Sequence, residues 1–382
     1  MFNRLYLHIP FCQRKCDYCA FVSMQSDQFA IDAYVETLLD EMRLARAEYG
    51  AGAGLDSIYL GGGTPSLLSP FQVARLLEHT SLLFGWAAQP EITLEANPGT
   101  VDIQRLAGFR AAGVNRLSLG IQTFDDSMLV QLGRIHTAQQ VMETVSAARE
   151  AGFDNLGLDL IHALPGQTPE MWRNDLLQAL RCKPEHISVY SLTIEEGTPF
   201  SHSYPADSPL LPDEDLSADM FEVADATLTA AGYEHYELAN YARPGFRSRH
   251  NSGYWKRNGY LGLGIASHSF LKKGSYGVRF STTVDLDDYA ATISSGKLPH
   301  RDMTPLSRED AMAEFMFLGL RLIEGVMFRE FEDHFGVSPL EVYAPTFEIL
   351  TKAGLITVDT KRVRLTLAGM LLSNQVFSRF LP

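Results

Sequence analysis

No stretch of about 18 consecutive apolar residues occurs in this chain, so nothing in it reads as a membrane-spanning helix. The N-terminus, MFNRLYLHIPFC, lacks the basic stretch and long apolar core of a signal peptide. Low-complexity tracts and a long basic tail are missing too. The net charge of −14 works against non-specific binding to nucleic acid or to anionic lipid, though it leaves a peripheral membrane contact open. Cysteine is scarce, with 4 in 382 residues. That excludes a disulfide framework and makes a reducing cytoplasm the expected setting. Two phosphate-binding signatures are also wanting. No G-x-G-x-x-G follows the first strand-like run, and no Gly-Lys-Ser/Thr follows the glycine-rich turn. A hydrophobic content of 46% nevertheless supports a large buried core.

What is present is one repeated theme: a short apolar run, an amphipathic stretch, then Gly or Pro. The runs are LYLHIP (5–10), SIYLGGG (57–63), EITLEANP (91–98), RLSLGIQ (116–122), NLGLDLIHALPG (155–166) and HISVYSLT (186–193). The stretches between them repeat apolar residues at three and four, as helices on a sheet require. Gly113, Gly152 and Gly232 are placed to end such helices. Six consecutive β/α units predict a partial (β/α)6 barrel, with a doubly wound sheet as the alternative. Barrel chemistry belongs at the C-terminal ends of strands, which here carry the cysteine loop, GGGTPS, Glu95, Asn97, Gln122, Asp159 and Thr193. Three segments are expected: 1–232 as the barrel, 233–304 as added strands at its open edge, and 305–382 as a winged-helix-like helical unit. That last unit mixes acid and base, so a DNA-binding role is disfavoured. A lid over the barrel and a docking surface for an acceptor are its two remaining roles.

Three of the four cysteines, Cys12, Cys16 and Cys19, lie in FCQRKCDYCAF, while Cys182 is far away. A structural zinc site wants four ligands. Three thiolates within eight residues suit three corners of a [4Fe–4S] cubane whose fourth iron is left for a small ligand. Zinc completed by His8 or a carboxylate, and buried unligated cysteines, remain alternatives. GGGTPS (61–66) lets backbone approach a ligand closely, or else is a plain strand-to-helix turn.

C-x3-C-x2-C with the aromatic Tyr18 before its last cysteine, followed by GGGTP at the end of the second strand, resembles the radical S-adenosylmethionine superfamily. YLHIPFC, LGRIHT, DLIHALPGQT and SLTIEEGTPF are similar to the oxygen-independent coproporphyrinogen III dehydrogenases and the related radical-type heme chaperones, over essentially the whole chain. The resemblance implies a cluster on Cys12, Cys16 and Cys19. It implies S-adenosylmethionine contacts from Tyr6, Tyr18, Gly62, Gly63, Thr64 and Glu95, with Gln122, Arg134 and Asp159 lining the next strands, where the dehydrogenases hold a second S-adenosylmethionine. Read from charge alone, Arg134 and Asp159 would instead pair with each other.

Two departures point from dehydrogenase to chaperone. Phe21 stands where the dehydrogenases have a fourth cysteine, and the N-terminal extension those enzymes carry is not expected here, since the motif begins at Cys12. HNSGYW (250–255) matches the H-N-x-x-Y-W motif of the chaperones, which implies heme contacts from His250, Asn251, Tyr254 and Trp255. Imidazole is a common axial heme ligand, Tyr and Trp offer flat surface, and the nearby Arg247 and Arg249 suit propionates. Without the resemblance, the same segment reads as an aromatic loop closing the barrel, with His250 capping backbone. His268 is a second candidate ligand. His162, Ala163 and Ser267 depart from the family's usual residues, with the two added β-carbons expected to narrow a pocket. The resemblance thus implies a heme chaperone that delivers heme to acceptor hemoproteins. The alternatives are radical decarboxylation of coproporphyrinogen III and radical opening of the heme ring. Oligomeric state is not legible.

Overall fold

The computed structural model describes residues 1–25 and 27–382. Six parallel strands lie side by side in chain order: β1 (Arg4–Ile9), β2 (Leu55–Gly62), β3 (Trp86–Ala96), β4 (Arg116–Gln122), β5 (Leu156–His162) and β6 (His186–Ser191). A doubly wound sheet would reverse its order at a switch point. None of these six does, so the partial barrel is the observed architecture.

Period-two alternation divides each strand between two environments. Leu5, Leu7, Ile58, Leu60, Leu94, Leu117, Leu119, Leu158 and Ile187 face outward and are fully buried under the helices. Those helices supply Leu38 and Met42 from Gln28–Tyr49, Leu76 from Pro70–Phe84, Phe109 from Ile103–Ala112 and Trp172 from Pro169–Arg181. Each such side chain contributes about 1.5–3 kcal/mol. That outer layer can therefore carry an inner face on which Tyr59, Glu95, Arg116, Ser118, Asp159 and Ser188 line a cavity. Helix starts are written locally: Ser69–Gln72 and Thr137–Gln140 form reciprocal capping boxes.

The segment after residue 232 extends the sheet on both sides. β8 (Asn240–Ala242) adds antiparallel to β6, and β7 (Glu234–Glu237) pairs antiparallel with β8 at the edge. β9 (Tyr260–Leu263) pairs parallel with β1, and antiparallel β10 (His268–Leu271), β11 (Val278–Thr282) and β12 (His300–Pro305) follow. The C-terminal helices Arg308–Gly319, Phe328–Phe335 and Ala344–Lys352 build a second core around Met316, Phe331, Phe347 and Val376. The expected hairpin is there (Ile356–Val358 with Arg362–Leu365), and the short strand Val326–Met327 joins it, giving a winged-helix-like unit. Among the described residues no helix is long and apolar enough to cross a membrane.

Candidate cofactor site

At the C-terminal ends of β1–β6 a cavity of about 420 Å³ opens, within the range of roughly 300–1,000 Å³ usual for small-molecule sites. Cys12, Cys16, Cys19, Tyr18, Gly62, Gly63, Thr64, Glu95, Gln122, Arg134 and Asp159 all line it. The cysteine loop is tied down at several points. The Cys12 N–H donates to Met24 O at 2.9 Å, the Asp17 N–H to Leu132 O at 3.2 Å, and the Phe200 N–H to Asp17 O at 3.0 Å. The glycines answer to close approach: a β-carbon on Gly63 would stand 2.7 Å from Phe11 O and 3.0 Å from the Cys12 sulfur, and one on Gly62, at φ 116°, would meet the His8 ring at 2.6 Å.

The donor set fits an iron–sulfur cluster better than zinc. The Thr64 hydroxyl donates to Cys12 Sγ at 3.6 Å and the Arg134 guanidinium to Cys16 Sγ at 3.5 Å. Both contacts hold sulfurs that line the cavity. His8, the candidate fourth zinc ligand, has both ring nitrogens engaged, by the Tyr6 hydroxyl at 3.1 Å and Val22 O at 3.1 Å. Among the described residues no three His, Cys, Asp or Glu side chains converge as a single bound ion would need. The three cysteines of a cubane bind separate irons and need no such convergence.

Glu95 accepts from the Tyr59 hydroxyl at 2.7 Å and the Gly62 N–H at 3.1 Å. Burial pushes its carboxyl up to about 7, against those two bonds and with a smaller push from Asp159. Asp159 is also raised by burial and accepts from Ser118 Oγ at 3.0 Å. Arg134 makes no ion pair with it. It donates instead to Asn97 Oδ1 at 2.6 Å and to Gly120 O, and Asn97 donates in turn to Thr64 at 3.0 Å. Asn97 is thus the joint between the glycine turn and the arginine. Sequence motifs left out Tyr59, Arg116, Ser118, Ser188 and Tyr190, which also line the cavity. Their signal was period two: Arg116, Ser118, Gly120 and Gln122 share one face of β4, opposite three buried aliphatic residues. Tyr6 does not itself line the cavity; it stacks on Tyr59, which does, with ring centroids 6.1 Å apart.

The helix Arg249–Trp255 packs against β2 near its start. The Glu91 carboxylate accepts from the N–H groups of Arg249 and His250, each at 2.9 Å, as a negative charge at a helix N-terminus should. The helix lies so close that a β-carbon on Gly253 would overlap the Arg4 guanidinium. Asn251 alone of the motif reaches the cavity. His250 is 1% exposed, its Nδ1 2.8 Å from Ser57 Oγ and its Nε2 2.7 Å from the Tyr254 hydroxyl, with Tyr59 against the ring at 5.1 Å. Burial lowers its pKa to about 3, so the ring is neutral. Trp255 faces a different cleft, against the C-terminal unit. Arg247 pairs with Glu234 at 3.0 Å, and Arg249 donates to Gln89 O at 2.6 Å. His162 packs on Trp172 at 5.4 Å, and neither Ala163 nor Ser267 narrows the cavity. His268 is exposed on β10.

Residues 6–179 match the radical SAM superfamily model, and residues 306–372 match that of the HemN C-terminal domain. The heme chaperone HemW of Lactococcus lactis subsp. lactis is 38% identical over 379 residues, 99% of this chain and 97% of that protein. HemW of Bacillus subtilis is 35% identical over 377 residues, 98% of each. Among solved structures, the radical SAM enzyme coproporphyrinogen III oxidase (HemN) of Escherichia coli superposes with a TM-score of 0.84 at 25% identity, over 99% of this chain and 90% of that one. With cysteine loop, glycine turn and barrel arranged as described, the chain belongs to the radical S-adenosylmethionine superfamily, in the family of the HemW heme chaperones.

Proposed function

We propose that the protein is a heme chaperone that carries an iron–sulfur cluster and S-adenosylmethionine in its barrel and passes heme to acceptor hemoproteins. The observation that carries this reading is the convergence of three thiols, a glycine turn and Glu95 on one cavity, with Asn251 of HNSGYW entering the same cavity from below. Full-length similarity to proteins named heme chaperones supports it. Cys12, Cys16 and Cys19 would hold the cluster, while Thr64 and Arg134 steady two of the sulfurs. Gly62, Gly63 and Glu95 would bind the polar end of S-adenosylmethionine, and Tyr18 and Gln122 would flank it. When bound, this pair of cofactors supplies one-electron chemistry. Asp159 and Arg116 line the same cavity, and Tyr59 fixes the Glu95 carboxyl. On the heme side, Trp255 offers flat apolar surface, and His250 becomes a ligand only when Ser57 and Tyr254 release it.

A second reading, oxidative decarboxylation of coproporphyrinogen III, is favoured by the 0.84 superposition on HemN. One anaerobic experiment separates the two. Protein with reconstituted cluster is given S-adenosylmethionine, reductant and coproporphyrinogen III, and the porphyrin is followed by mass. In parallel, heme-loaded protein is mixed with an apo-hemoprotein. Unchanged coproporphyrinogen with heme transfer is expected. Catalytic loss of two carboxyl groups, without transfer, would overturn the chaperone reading.

A further inference from the structure

Resting on that heme reading, we propose that heme lodges first in the cleft between the helix Arg249–Trp255 and the second core, with Nε2 of His334 as its axial ligand. The cleft measures about 490 Å³ and is walled by Trp255, Phe315, Met327 and His334. It lies on the motif helix, and its far wall comes from the C-terminal unit.

Access decides between the two imidazoles. His250 is buried with both nitrogens bonded. His334 is exposed; its Nδ1 sits 3.1 Å from Glu330 O, and Nε2 has no partner among the described residues. An imidazole held by a backbone carbonyl at one nitrogen and open at the other is the arrangement metal-binding histidines adopt. Trp255 supplies the flat wall, braced by Arg321 at 4.3 Å from its ring, and its buried indole N–H has no partner. The thioether of Met327 lines the same cleft and is a further ligand type that heme iron accepts.

The charges suit a cargo that must leave again. Lys256 and Arg362 edge the cleft in exposed pairs, at 3.4 Å to Glu324 and 3.7 Å to Asp359. Such pairs are weak and exchange readily, so both cations are free to turn to propionates. Glu324, Glu330 and Asp333 line the same rim and oppose a dianion, which limits the hold. In this arrangement the C-terminal unit is half of the heme site, and its position against the barrel makes the cleft.

Hemin is titrated into wild type, His334→Ala, His250→Ala and Trp255→Ala, following the Soret band, with iron-free protoporphyrin IX as a second probe. His334→Ala is expected to shift the band and weaken hemin binding by at least about tenfold, while protoporphyrin binding stays as in wild type. Trp255→Ala should weaken both probes. Hemin binding by His334→Ala with wild-type band and affinity overturns this site and leaves the heme reading standing. Loss confined to His250→Ala does the same. Failure of wild type to bind hemin sinks the heme reading itself, and the site with it. His334 is exposed, with one backbone hydrogen bond and its ring beside Phe315 at 5.3 Å, so unchanged protoporphyrin binding by the variant shows that the cleft is kept and that ligation is what was lost, and an unchanged iron content confirms the barrel.

Discussion

Gly63 shows how little room the site leaves a single residue. Its missing β-carbon is the space occupied by Phe11 O and by the sulfur of Cys12. The first of these is backbone and cannot swing aside. Gly63→Ala should therefore push the cysteine loop off the turn. Expected is loss of most bound iron after reconstitution, read by iron analysis and by the visible absorbance of the cluster, with far-UV circular dichroism unchanged because the strand core is untouched. Wild-type iron content in that variant would show that the turn gives way. At this scale the sequence was informative where chemistry is local. Cysteine spacing and the glycine turn required no knowledge of the fold, and every residue tied to the cluster and S-adenosylmethionine apart from Tyr6 stands around one cavity. Where contacts are distant it was silent. Nothing near His250 announces Ser57, 193 positions away, as its partner, and Tyr6 gave no sign that it would stack on Tyr59 without lining the cavity itself.

Elements are joined here by buried polar groups as well as by aliphatic packing. The helix Gln28–Tyr49 carries Glu41, which is fully buried and accepts from the Gly264 N–H and the Tyr289 hydroxyl, each at 2.7 Å. It thereby ties the first helix to the β9–β10 connection and to the helix Leu286–Ser294. Burial raises its carboxyl from 4.5 to about 7, against those two bonds. The folded protein therefore holds this proton at pH values where the unfolded chain has lost it. The stabilisation is complete below about pH 4.5 and disappears as pH rises through about 7. Glu95 is raised similarly, and buried histidines such as His250 act in the opposite sense, so the difference between variant and wild type is the useful quantity. Glu41→Gln should gain about 1–3 kcal/mol on wild type between pH 5 and pH 8, measured by urea unfolding of the apo-protein. Parallel curves at both pH values would show that Glu41 ionises freely. The elements themselves were legible because the outer face of every barrel strand and the inner face of every flanking helix keep their apolar period. The destination of residues 233–300 was half legible. Added strands were foreseen, but the parallel return of β9 beside β1 was not, since four residues carry too short a pattern to specify a partner.

Across the whole molecule two hydrophobic cores meet, and polar ties cross the contact beside Leu238 and Tyr276, which pack on the second core. Backbone bonds run from the Leu238 N–H to Arg321 O at 3.0 Å and from the Ile323 N–H to Tyr236 O at 3.1 Å. The stronger tie is Glu314, on the helix Arg308–Gly319. It accepts from Arg257 Nε at 3.0 Å, from Arg279 Nη2 at 3.0 Å and from Arg279 Nε. Arg257 follows the HNSGYW helix and Arg279 lies on β11, so one carboxylate binds the C-terminal unit to both parts of the barrel's extension. Both guanidiniums also lie over Phe270, at 4.9 and 4.8 Å. Arg257 and Glu314 are 7% and 8% exposed, whereas Arg279 reaches solvent. Removing the acid therefore strands one buried cation and one that water can rescue. Glu314→Ala should cost about 3 kcal/mol, at the low end for a broken buried pair. The loss should fall on the junction: hydrogen exchange should quicken in Arg308–Gly319 and around Trp255, while β1–β6 stay protected. The double variant Arg257→Ala/Glu314→Ala should recover part of the loss, because no buried charge is then left alone. Equal destabilisation of every strand in the single variant would mean that the two cores unfold as one unit and that Glu314 is not their joint. Since the cleft beside Trp255 exists only while the two cores hold their places, Glu314→Ala should also weaken hemin binding without altering the iron content of the barrel, which separates the junction from the cluster in a single preparation.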